Sequence, residues 1–211
     1  MNVSLASSSS LTAKVVCNKE NVVLLKDENC ENEGKKNKYR IVFNAHNSNF
    51  PIKAIVGLKL YTLLYELNRD IIHTFKIVKE DDATIETLIL FKPFGKDFGI
   101  SPKCMHTIST MNFDSDSNFC MFDSVDVVVD AVDAGLISIP KKYERIQTTH
   151  SKLIVYFLSE NSLQFDFTFH LNDHETSLEE TSSCPIYMEN SVALMIKKMF
   201  CRLKVFTERM S

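Results

Sequence analysis

Residues 163–171 alternate without a break: Leu163, Phe165, Phe167, Phe169 and Leu171 on one side, Gln164, Asp166, Thr168 and His170 on the other. Successive side chains of an extended strand point to opposite faces, so this run is a strand with one apolar face. An aromatic row of this kind either stacks nucleic-acid bases, at about 1–3 kcal/mol per base, or looks into a core. We take the core reading. With residues 152–158 the run forms a hairpin about Glu160, Asn161 and Ser162, and the chain is committed to a largely β architecture.

The longest apolar stretch, 51–91, is where that architecture is expected to be organised. Its Val, Ile, Leu, Tyr, Phe and Thr fit a pleated, half-buried surface, and three strands in a meander are the simplest account. Gly57 falls inside the first, where a residue without Cβ permits a bulge or sharp bend. The corner at Glu80, Asp81, Asp82, Ala83 and Thr84 supplies the carboxylates that close a tight turn between the second and third.

A long first strand with an internal glycine, a strand running into Ile77, Asp81, Asp82 and Thr84, and then a third strand resemble the opening of the oligonucleotide/oligosaccharide-binding (OB) fold in the middle-subunit family of replication protein A and the related subunits of telomere-capping complexes. The residues that carry the resemblance are Ile55, Val56, Gly57, Phe75, Ile77, Asp81, Asp82, Thr84 and Ile85. It implies a mainly β protein: a single OB-fold-like five-stranded barrel with an N-terminal β extension and an amphipathic C-terminal helix. The expected organisation is a flexible, short-stranded extension over 1–38, a barrel over 39–171, a polar linker over 172–189 and a partner-binding helix over 190–211.

Composition bounds the function. With 211 residues, 45% of them apolar, the chain can bury the core of one domain with extensions. Five glycines leave little material for phosphate-cradling loops, and a net charge of −3 gives no general attraction to nucleic acid. Cys17, Cys30, Cys104, Cys120, Cys184 and Cys201 are widely spaced, as expected of free thiols in a reducing compartment. Neither Cys104 with His106 nor His170 with His174 and Cys184 has the paired spacing of a zinc site, so no metal and no cofactor is expected. The first 11 residues lack a basic start, and no run of about 18 apolar residues could span a bilayer, so a soluble, intracellular protein with no membrane partner is expected.

In chain order, 1–12 is Ser-rich and reads as unstructured; 13–16 and 21–25 are short β runs about a turn at 17–20. Residues 26–38 read as a loop whose basic end, with Lys35, Lys36, Lys38 and Arg40, is either solvated or contacts phosphate. Tyr39, Ile41 and Phe43 mark a further strand. A short helix is expected over 101–111, a loop over 114–118, and a strand over 124–139 with Val125, Val127, Val129 and Ala131 on one face. From Asn190 or Ser191, which would cap it, the period becomes helical: Val192, Ile196, Met199, Leu203, Phe206 and Met210, widened by Met195 and Phe200.

No nucleophile elbow, P-loop or metalloprotease motif is present, and Asp123, Asp126, Asp130 and Asp133 do not converge on one face, so no catalysis is expected. By the resemblance, single-stranded DNA would meet Tyr61, Tyr65, Phe75, Lys76, Lys92, Phe94 and Lys96, weakly, because Glu66, Glu80, Asp81, Asp82 and Glu86 repel phosphate. The helix residues Val192, Met195, Ile196, Met199, Leu203 and Phe206 would bind other subunits of a nuclear telomere or single-strand-binding complex. On that reading, charged substitutions at Val192, Met199 and Phe206 break association without unfolding the barrel. Two alternatives are a β-rich scaffold or sliding-clamp-like accessory protein and a metal-dependent hydrolase.

Overall fold

The structure, a computed structural model, describes residues 13–27, 37–93, 101–113, 118–127, 139–146, 150–171 and 186–211. Among them, β1 (Ala13–Lys19), β2 (Val22–Asp27) and β3 (Asn37–His46) precede a short 3-10 turn (Ile52–Ile55) and α1 (Lys59–Glu66). There follow β4 (Ile72–Glu80), β5 (Thr84–Phe91), β6 (Lys103–Phe113), β7 (Phe119–Asp126), the two-residue β8 (Glu144–Arg145), β9 (His150–Ser159), β10 (Ser162–Leu171) and α2 (Ile186–Arg209).

All ten strands lie in one sheet, in the order β1-β2-β3-β10-β9-β7-β6-β5-β4, antiparallel throughout, with β8 added parallel to β6. The alternation that marks the strands decides what faces inward. Phe165 lies opposite Phe43 on one side and Val155 on the other, and Phe169 opposite Tyr39 and Ser151. The Phe43 and Phe165 rings stack at 4.6 Å, and those of Tyr39 and Phe169 at 5.5 Å. The aromatic row is therefore core, as its period suggests, and not a platform open to bases. On the outer face Arg40 donates to both carboxylate oxygens of Asp166, at 2.8 and 2.5 Å, so the end of the basic cluster is committed to an ion pair.

Turn chemistry joins these strands. Glu20 and Asn21 both have positive φ, 59° and 56°, the backbone of a two-residue hairpin whose twist matches its strands, and this places the first turn later than the sequence suggests. Asp81 closes the next hairpin as expected, accepting from the Ala83 and Thr84 amides at 3.1 and 2.8 Å and from the Thr84 hydroxyl at 2.6 Å.

Five expectations are corrected. The first strand of the proposed meander is instead the 3-10 turn and α1, since Leu60, Tyr61, Leu64 and Tyr65 share one helical face and bury it. Gly57 sits in the bend before α1, with nothing within 4 Å of where a Cβ would stand, so no bulge requires it. Residues 103–113 are strand β6, not a helix. The strand expected over 124–139 is β7, which starts at Phe119, and Val125 on it is exposed rather than core; 128–138 lie outside the described residues. The five-stranded barrel gives way to a longer sheet whose terminal strands, β1 and β4, are not paired with each other.

Candidate functional site

α2, about 36 Å long at 1.5 Å per residue, packs against β2 and β3 on the apolar face of the sheet and meets α1. Val192, Ala193, Met199, Phe200 and Leu203 are buried, and the Phe200 ring lies 4.9 Å from Phe167 and 6.0 Å from Phe43. The helix already extends back to Ile186, so Asn190 is not its cap; its Oδ1 accepts from the Tyr39 hydroxyl at 3.0 Å. At the other end Asn47 Nδ2 donates to the carbonyls of Thr207 and Met210 at 2.9 and 2.8 Å.

Midway, Arg202 donates to Asn68 Oδ1 at 3.0 Å and to both Asp70 oxygens, the Oδ2 contact at 2.6 Å. These hydrogen bonds, aided by the charges of Arg202 and Lys198 and opposed by burial, hold the Asp70 carboxyl well below the usual carboxylate range. A carboxyl depressed in the folded state contributes stability above its unfolded value of about 4, and the contribution is lost as pH falls towards the folded value. Asp70 is half exposed, so the loss is at most about 1 kcal/mol. Asp70→Asn should remove that part of the fall in denaturant midpoint below about pH 4, with little change in the slope at neutral pH.

Between α1, α2 and strands β5, β6, β7, β9 and β10 lies a cavity of about 70 Å³. Its walls are mostly hydrocarbon: Leu60 and Leu64 from α1, Ile196, Met199, Phe200 and Leu203 from α2, and Ile89, Phe91, Met105, Leu153 and Phe167 from the sheet. One region of the wall differs. There Thr107 and Ser109 of β6, Ser124 of β7 and Ser151 of β9 line it with Tyr61 and Tyr65 of α1, and several of their hydroxyls are taken up by one another rather than turned into the cavity. Ser109 Oγ and Ser124 Oγ are 2.7 Å apart, Tyr61 Oη lies 3.1 Å from Ser124 Oγ, and the Thr87 and Thr107 hydroxyls are 3.3 Å apart. Burial pushes both phenols up, so they remain neutral donors over the whole working pH range.

No family model matches the sequence, and no curated protein matches it. Solved structures do match. The human StarD13 (DLC2) lipid transfer and protein localization domain superposes with a TM-score of 0.67 at 11% identity, covering 95% of this chain and 91% of that one. A STAR-related lipid transfer protein from Xanthomonas axonopodis gives 0.63 at 10% identity over 92% and 98%, and human StAR-related lipid transfer protein 5 gives 0.62 at 14% over 92% and 86%. The fold is that of the StAR-related lipid-transfer domains. This helix-grip arrangement, a long C-terminal helix held against one face of an antiparallel sheet, replaces the OB fold expected from residues 55–85, and with it go the telomere and single-stranded-DNA assignments. The alternatives, a sliding-clamp-like scaffold and a metal-dependent hydrolase, do not fit it either.

The residues singled out in the sequence are redistributed in the helix-grip frame. Tyr61 and Tyr65 face the cavity, 8% and 7% exposed, which leaves no ring surface for a base. Phe75 on β4 is half-buried with its ring 4.5 Å from Tyr65; Lys76 and Lys92 are exposed, and Phe94 and Lys96 lie outside the described residues. Of the proposed partner-binding set, Val192, Met199 and Leu203 are buried under their own sheet, Met195 and Ile196 are half-buried, and Phe206, 36% exposed, remains at the surface. Ile196, Met199 and Leu203 line the cavity instead of an intersubunit contact. Thr107, Ser109, Ser124 and Ser151 were missed altogether; the only signal for them is the period of two through Met105, Thr107, Ser109 and Met111.

Proposed function

We propose that this chain is a non-catalytic binding protein that encloses a lipid-like molecule beneath α2. The observation that carries the reading is the cavity itself, hydrocarbon-walled and closed by two helices, in a fold shared with proteins described as lipid-transfer domains. Filling it with side chains would have increased packing and stability, so the space is a cost in stability that a bound ligand offsets. At about 70 Å³ it is smaller than a whole lipid, and loading it requires the wall to give. Met105 and Met199, unbranched and adaptable, are the parts of the wall best suited to do so.

Lipid extracted from the purified protein and identified by mass spectrometry, together with displacement of a fluorescent fatty-acyl probe, tests the reading. Leu64→Trp and, with less added volume, Ile196→Phe fill the cavity from opposite helices and should weaken probe binding at least tenfold while the far-ultraviolet dichroism stays native. Wild-type protein that carries no lipid and takes up none of the probe overturns the proposal, as does unchanged binding in both filled variants.

A further inference from the structure

α2 buries a lysine with no acid to pair it. Lys197 is 4% exposed on the side of the helix that meets the first hairpin, and among the described residues no carboxylate comes within ion-pair distance of its ammonium. Its Nζ donates instead to the Lys19 carbonyl at 3.4 Å and to Cys201 Sγ, one helical turn on, at 3.6 Å. Taking a charge out of water without a charged partner is costly, and an apolar side chain of similar volume would serve the fold at least as well. Packing alone therefore does not account for a lysine here. Cys201 is a free thiol, buried against the helix's own partners, yet it lines a surface groove of about 440 Å³ together with Glu20, Val205 and Phe206, which gives small oxidants a path to the residue. Burial pushes the thiol up and the Lys197 charge draws it back down, with Glu20 and Cys17 adding to the rise. A thiol held mainly protonated reacts slowly, so this sulfur answers sustained peroxide rather than a brief pulse.

We infer that Cys201 and Lys197 form an oxidative modification site, at which a peroxide joins the Cys201 sulfur to the Lys197 nitrogen. In the first step the O–O bond of hydrogen peroxide breaks, one oxygen stays on sulfur as the sulfenic acid and the other leaves as water, the sulfur giving up two electrons. In the second, Lys197 Nζ, its ammonium proton passed to solvent, attacks that sulfur. The S–N bond forms, the S–O bond breaks, and the hydroxyl departs with an amine proton as a second water. Sulfenic acids condense in this way with thiols and with backbone nitrogen, and Lys197 Nζ already contacts the sulfur. The new bond spans the turn of α2 that carries Met199 and Phe200, both of which line the cavity, so oxidation stiffens the wall at one of the methionines best suited to yield. That consequence rests on the proposed binding function; the bond itself does not.

The full chain, treated with excess hydrogen peroxide and then cleaved after glutamate, releases residues 190–208 with both side chains in one peptide. We expect most of this peptide to be lighter by the two hydrogens the reaction removes and to regain its mass with dithiothreitol; oxygens gained at the methionines shift both forms alike. Lys197→Met, which replaces the buried charge by a thioether of similar length, should abolish the lighter form, and Lys198→Met, at the exposed neighbour, should leave it unchanged. A sulfinic acid at Cys201, a disulfide to Cys17 or an unreacted Cys201 thiol overturns the inference. Uptake of the fluorescent fatty-acyl probe should slow severalfold after oxidation and recover with dithiothreitol. A bond that forms with uptake unchanged overturns the effect on the wall and spares the site, whereas wild-type protein that never takes up the probe overturns the binding function alone.

Discussion

Val192→Asp should leave the protein unfolded, or close to it, at neutral pH. Val192 is 1% exposed on the buried face of α2, and a carboxylate introduced there is cut off from solvent. An unpaired buried charge costs about 3–5 kcal/mol, to which the lost apolar burial adds, against a total stability of about 5–15 kcal/mol for a domain. Phe206→Asp, at a half-exposed position of the same helix, should change stability by less than about 1 kcal/mol. Far-ultraviolet dichroism and urea midpoints of the two variants give the comparison. A helix whose stripe served other subunits would show the opposite pattern, with both variants folded and both dissociated.

Phe165→Ala should be the most damaging truncation in the sheet. The ring is fully buried, stacks on Phe43 at 4.6 Å with 5° between planes, and faces Val155 across the neighbouring strand. Removing a buried Phe leaves a hole that rigid neighbours fill only in part, at about 3–5 kcal/mol, and for a chain of this length each kcal/mol lowers the melting temperature by roughly 2–4 °C. A fall of roughly 10 °C by calorimetry is expected. If the aromatic row were instead a surface platform for bases, the same change would cost little stability.

Where the sequence was legible, a local rule coincided with the tertiary outcome. Residues 162–171 alternate because one face is buried, and Asp81 signals its turn because its carboxylate satisfies the backbone that reverses there. The helical stripe of α2 was equally readable, but amphipathicity only demands some apolar surface, and whether that belongs to the same chain or another is not encoded in the period. α1 was hidden for a different reason: in a run so rich in apolar residues, helix and strand are hard to separate by periodicity, and its tyrosines and neighbouring isoleucine and valine favoured the strand. β6 was hidden by the very residues that shape the cavity. Thr107 and Ser109 occupy inward positions where apolar side chains would have announced a strand, so the emptiest part of the interior was also the least visible part of the pattern.

Anchorage differs between the two helices that wall the cavity. α2 is tied to Tyr39 near its start, to Asp70 and Asn68 at mid-length and to Asn47 at its finish, so that displacing it as a rigid rod means breaking all three sets of ties together. α1 is only eight residues long and begins without a side-chain cap. On the proposed binding function, the short α1 rather than the long rod is the element whose opening would admit a guest, at the cost of the Tyr61 hydroxyl bond to Ser124 and the ring contacts of Tyr61 and Tyr65.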